Sequence, residues 1–189
     1  MFPAKLGGAQ GETKNRRLCP CFLYLPYGIK RYILTAVENE RKIAYARSYS
    51  SKSSLSAFDF LMRLQALVEG KIAAILSDNG SEFAKCFEEV CRRLKIIHIY
   101  TRIKTPKDNS INETFNRTMQ EEFMETDEYF EPYLTETNLI EANKRLTEWL
   151  IFYNFNRPHQ ALDYLTPFEY YQLQVKQKKL LPMCPTLTT

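Results

Sequence analysis

Two histidines, His98 and His159, are all that the 189 residues provide, and with five cysteines they make no His/Cys set for a structural zinc. The cysteines, at 19, 21, 86, 91 and 184, are odd in number, and two fall five apart within a predicted helix. That pattern excludes a secreted disulfide framework and leaves reduced thiols. Cys19-Pro20-Cys21 lacks the two-residue spacing of a redox motif. No run reaches the eighteen or more apolar residues of a membrane span, and the amino end carries no secretory pattern. The expected compartment is the cytoplasm, with no membrane partner. No internal repeat occurs.

Aromatic residues are abundant by contrast. Twelve Tyr and twelve Phe within a 44% hydrophobic chain predict a full core and one domain rather than disorder. A formal charge of +4 is modest, so attraction to nucleic acid depends on where the basic residues lie.

Residues 1–20, with Gly7, Gly8, Gly11, Lys14, Arg16 and Arg17, read as an amino-terminal arm, 21–172 as the core, and 173–189 as a tail, basic at first and then loose. Strands are predicted at Cys21–Pro26, Tyr32–Val37 and Lys42–Arg47, the last two joined by the polar turn Glu38–Arg41. Ser53 and Ser54 can cap a helix whose stripe is Ala57, Leu61, Leu64 and Val68; the apolar strand Ile72–Leu76 follows. Phe83, Phe87, Val90, Cys91 and Leu94 mark a second helix, and Ile96–Tyr100 a further strand. Phe115, Met119 and Phe123 make one later helical stripe, and Leu139, Ala142, Leu146, Trp149 and Tyr153 another that ends before Pro158. Helices between strands predict an α/β fold with a mixed sheet covered on both faces.

The chemistry centres on Asp78 and Glu113. A carboxylate at the end of a buried strand sits where open α/β sheets place their sites, and a glutamate in the first turn of a later helix can be brought beside it. Two close carboxylates favour a hard divalent cation, Mg²⁺ or Mn²⁺. Singly, each has a plainer explanation: Asp78 before Asn79-Gly80 as a turn cap, Glu113 as a complement to the helix dipole. Glu113, Arg117 and Gln120 share a helix face, so Arg117 can meet a phosphate, as can Lys104 and Lys107 in the preceding loop. His98 reads as a partly buried strand residue and His159 as part of a turn. Trp149, Phe152 and Tyr153 read as core rather than base-stacking residues.

Several of these segments together resemble one family. Ser77-Asp78-Asn79-Gly80-Ser81-Glu82-Phe83, Thr105-Pro106-Lys107-Asp108-Asn109-Ser110-Ile111-Asn112-Glu113 and Tyr153-Asn154-Phe155-Asn156-Arg157-Pro158-His159-Gln160-Ala161-Leu162 are similar to the integrase catalytic core of bacterial insertion-sequence transposases, related to retroviral integrases. The resemblance covers about residues 22–172. It implies a ribonuclease H-like fold and a DNA substrate, a cytoplasmic or nucleoid-associated setting, and cleavage and strand transfer by three carboxylates holding two divalent ions. Asp78 and Glu113, 35 positions apart, match the last two of these acids as catalytic and metal-binding residues.

The first acid is missing. The resemblance sets it near Cys21, yet no Asp or Glu occurs between Glu12 and Glu38, and Glu38 matches a non-catalytic position. A thiolate suits Mg²⁺ poorly, so one weak metal position is what remains. The implied protein is a transposase core, truncated and impaired, acting as a homo-oligomer or with another transposase subunit. The alternatives are an inactive DNA- or partner-binding remnant and a ribonuclease H-like nuclease of hybrids.

Overall fold

The structure, a computed structural model, describes residues 14–24, 28–68, 72–101, 110–135 and 139–180; for 14–24 and 177–180 only the backbone is described. Five strands form one sheet: β1 (Lys14–Tyr24), β2 (Lys30–Glu38), β3 (Ala44–Tyr49), β4 (Ile72–Ser77) and β5 (Ile97–Tyr100), in the order β3-β2-β1-β4-β5. β1, β2 and β3 are antiparallel neighbours, whereas β4 runs parallel to both β1 and β5.

The strand period of two sorts β2 between two cores. Ile33 and Val37 join one cluster and Leu34 and Ala36 the other. On the first face lie α3 (Ser110–Met119), a π-helical turn (Gln120–Met124), α4 (Phe130–Thr135) and α5 (Ile140–Phe155), contributing Phe115, Met119, Phe123, Phe130, Leu146, Trp149 and Tyr153. On the second lie α1 (Ser54–Leu67) and α2 (Cys86–Arg93), contributing Phe60, Leu61, Leu64, Phe87 and Cys91. The mixed sheet covered on both faces is as expected. α6 (Pro167–Leu180) follows, packed on α5.

Local chemistry accounts for the element ends. Ser53 caps α1 by accepting the Ser56 N–H at 3.2 Å, leaving Ala57, Phe60, Leu61 and Leu64 buried on one stripe. The expected core role holds for Trp149 and Tyr153, whose rings pack on Phe115, but not for Phe152, which is on the outer side of α5 and 48% exposed. β1 starts at Lys14, inside the segment that the sequence assigns to an arm, because Lys14–Leu18 pair with β4. Pro20 lies past the last β4 pair, where β1 is flanked by β2 alone and a residue without an N–H is tolerated. Likewise α6 takes in Lys176, Lys178 and Lys179, so the basic part of the expected tail is helical. Among the described residues no helix is long and apolar enough to cross a membrane.

Candidate metal and nucleic-acid site

Asp78 follows the last residue of β4, at the carboxyl edge of a parallel strand pair. Its Oδ1 accepts the Gly80 N–H at 3.0 Å, closing the turn that the sequence suggests, and Oδ2 is left for other partners. The turn is tied to β5. The Thr101 N–H donates to the Ser77 carbonyl at 2.8 Å, and Asn79 Nδ2 donates to the Thr101 carbonyl at 3.1 Å. Ser77, fully buried, donates its hydroxyl to the Asp78 carbonyl at 2.9 Å and lies 2.8 Å from His98 Nε2.

Glu82 lies under the same turn. It is buried, and its Oε1 stands 3.2 Å from the Lys52 ammonium at the entry to α1. Among the described residues neither Glu82 oxygen has a hydrogen-bond partner, and the ion pair with Lys52 offsets the burial of this carboxylate. A Cβ on Gly80 would meet Glu82 Oε1 at 2.5 Å, so a larger residue there would displace the buried carboxylate.

Glu113 is exposed in the first turn of α3, and Arg117 is exposed one turn later. Two asparagines set how α3 lies on the sheet. Asn112 Nδ2 donates to Thr35 Oγ1 at 3.2 Å, and Thr35 Oγ1 donates to Asn116 Oδ1 at 2.9 Å. Thr35 is thus the polar interruption in the row Ile33, Thr35, Val37, and it fixes the start of α3 over β2. Thr35 pairs with Cys19 and Ser77 with Leu18; carried one residue further, the register sets Cys19 between Thr35 and Asp78. Two strand spacings, about 10 Å, then separate the Thr35 and Asp78 rows, so Asp78 and the anchor of the first turn of α3 stand at one level across the sheet.

The same register bears on the missing acid. Cys21 pairs with Ile33, two residues beyond the level of Asp78, and it is Cys19 that stands level with it. Spacing along a single strand cannot reveal this, because it depends on the parallel neighbour. Glu38 is no substitute. It pairs with Arg16, about 10 Å along the strand from Thr35. Its carboxylate accepts the N–H groups of Arg41 at 2.7 Å and Glu40 at 3.4 Å.

Lys104 and Lys107 lie outside the described residues. No hydrogen bond or ion pair joins Asp78 to Glu113, and no group of three His, Cys, Asp or Glu side chains forms a metal cluster among the described residues. Two hard oxygen donors fit one divalent ion with places left for water and phosphate; they do not fit a pair of ions. His98 and His159 behave as the sequence suggests. Burial pulls the His98 imidazole below its usual range, slightly opposed by Glu88. Burial, aided by Arg157, does the same to His159, which bonds the Tyr153 carbonyl at 3.4 Å. Asn112 is part of the recognisable motif ending at Glu113, but its bond to Thr35, like the ion pair of Lys52, depends on a partner far along the chain. Glu82 sits within the recognisable motif, yet its burial is not readable there.

Comparison with known proteins bears on the family and the fold. Residues 12–106 and 94–167 match the family described as "Integrase core domain". A putative integrase of Spiroplasma virus SpV1-C74 is 25% identical over 160 residues, covering 75% of this chain and 42% of that protein. The transposase for insertion sequence element IS4351 of Bacteroides fragilis is 25% identical over 151 residues, covering 80% and 43%. The chain therefore spans less than half the length of either relative. The HTLV-2 integrase catalytic core domain, solved in complex with magnesium in a dimeric form, superposes with a TM-score of 0.62 at 14% identity, covering 84% of this chain and 96% of that one. The chain belongs to the integrase core domain family and has its ribonuclease H-like α/β fold.

Proposed function

We propose that this chain is the DNA-engaging core of a transposase or integrase in which Asp78 and Glu113 hold one divalent ion, and that strand transfer is impaired because β1 supplies no carboxylate. Membership of the family supports polynucleotidyl transfer on DNA as the reaction class. The observation that carries the reading is the turn at the carboxyl edge of β4, which leaves one Asp78 oxygen unengaged at the level of Thr35, the residue that anchors the turn of α3 bearing Glu113.

A bound Mg²⁺ or Mn²⁺ would supply Lewis-acid polarisation of a scissile phosphate. The protein's part is to hold and orient. Asp78 Oδ2 and the Glu113 carboxylate are the ion's donors, and Arg117 is positioned one helical turn on to pair with a backbone phosphate. Lys104 and Lys107 are proposed as further phosphate contacts, which position DNA without reading sequence. Joining two DNA ends requires more than one copy; α1 leaves Leu55, Phe58 and Met62 exposed as an apolar stripe for such contact. The count of two carboxylates favours one further reading, a core that binds DNA or a partner subunit without reacting.

Mn²⁺ titration followed by electron paramagnetic resonance, paired with DNA binding at several salt concentrations, tests the proposal. The expected result is one bound ion, lost in Asp78→Asn and weakened in Glu113→Gln. DNA binding is expected to be salt-dependent, its log–log slope falling by about one on Arg117→Ala. Uptake of Mn²⁺ unchanged by Asp78→Asn would contradict it.

A further inference from the structure

Ser77 has one hydroxyl proton, and that proton is committed to the Asp78 carbonyl at 2.9 Å. The 2.8 Å contact with His98 Nε2 therefore runs the other way: the imidazole carries its proton on Nε2 and donates to Ser77 Oγ. His98 Nδ1 is buried without a partner, as fits the acceptor nitrogen of that neutral tautomer. The ring is held edge-on against Phe87, with centroids 5.1 Å apart, and lies 4.4 Å from the Tyr100 ring, whose hydroxyl donates to the Glu88 carboxylate at 2.5 Å and lies 3.1 Å from the Phe83 carbonyl. The chain of donors thus starts in β5 and ends on the backbone of Asp78.

We infer that His98 is a positioning residue for Asp78: through Ser77 it fixes the peptide that aims the Asp78 carboxylate. The inference rests on the reading of Asp78 as a metal ligand. Without the Nε2 donor, Ser77 loses the bond that orients its hydroxyl, the Asp78 carbonyl loses a fixed partner, and the carboxylate that closes on the Gly80 N–H loosens with it. Groups that orient a ligand from behind typically alter metal affinity by about tenfold or more when removed.

His98→Phe keeps an aromatic ring against Phe87 and removes the donor. His98→Gln places an amide N–H where Nε2 stands, and Ser77→Ala breaks the relay at its middle. The experiment measures the exchange rate of the Gly80 amide by nuclear magnetic resonance and the Mn²⁺ dissociation constant, on the full chain and these variants. The expected result is that His98→Phe and Ser77→Ala each raise both by about tenfold. The double variant should add little to either, and His98→Gln should stay near the parent. Parent-like exchange and affinity in both His98→Phe and Ser77→Ala would overturn the inference, as would an equal loss in His98→Gln. If the parent chain takes up no Mn²⁺, the metal reading fails, while Gly80 exchange still decides the positioning role.

Discussion

Glu82 has a carboxylate with almost no solvent contact that depends on a single ammonium at 3.2 Å. Lys52→Met would leave that charge buried without its pair. An expected loss of about 2 kcal/mol in urea unfolding follows, and adding Glu82→Gln should recover most of it. A parent-like midpoint for Lys52→Met would show the ion pair to be dispensable. The two histidines set a pH dependence of definite sign. Burial lowers both imidazoles in the folded chain, so below the unfolded value of about 6.5 the unfolded state binds more protons. Their contribution is present in full above that pH and is lost as pH falls towards the depressed folded values. Thermal unfolding scans should give a melting temperature that drops between pH 7.5 and 5, with a shallower drop in His98→Gln. Asp78 and Glu113 were legible in the sequence as individual residues. The partners that hold them were not, because Thr35 meets Asn116 across 81 positions and Ser77 meets His98 across 21.

Among the elements, β3 forms one edge of the sheet, and α5 closes it with two asparagines. Asn143 accepts the Ser48 N–H at 2.8 Å and donates to the Ser48 carbonyl at 3.2 Å. Asn154 repeats this at Ala44, with both distances 2.9 Å. Each amide imitates a neighbouring strand, satisfying backbone groups that would otherwise be open to another chain. Asn143→Leu keeps the volume and strands the buried Ser48 groups; a loss of about 2 kcal/mol is expected by chemical denaturation, and an unchanged midpoint would count against the clasp. Asn154 was recognisable as part of a motif, but its purpose was not. The π turn is a second case. Phe115, Met119 and Phe123 read as one stripe, yet in a pure α-helix Phe123 would drift by about 80° from Phe115. The wider turn at Gln120–Met124 offsets that drift, stacking Phe123 on Trp149 at 5.5 Å and bringing Glu122 to a two-point ion pair with Arg157. The four-residue spacing that reveals the helix cannot distinguish the two. α1 and α5 were clear because their stripes run for three turns or more and each begins at a polar-to-apolar boundary.

For the whole molecule, the alternation of strands with helical stripes was enough to predict a mixed α/β sheet with two covered faces, since both periodicities are local properties of the chain. Strand order and register are not local. They moved the level of Asp78 from Cys21 to Cys19 and drew Lys14, Arg16 and Arg17 into β1. In the proposed reading Asp78 and Glu113 supply two of three required carboxylates, and the missing carboxylate on β1 limits the reaction. Disintegration of a branched DNA substrate with Mn²⁺ tests it most directly, because that reaction demands little recognition of a particular DNA end. The parent chain should yield no product; Cys19→Asp should yield Mn²⁺-dependent product that disappears when Asp78→Asn or Glu113→Gln is added, with Cys21→Asp as the comparison two residues away. Robust product from the parent chain, unaffected by Asp78→Asn, would contradict the account.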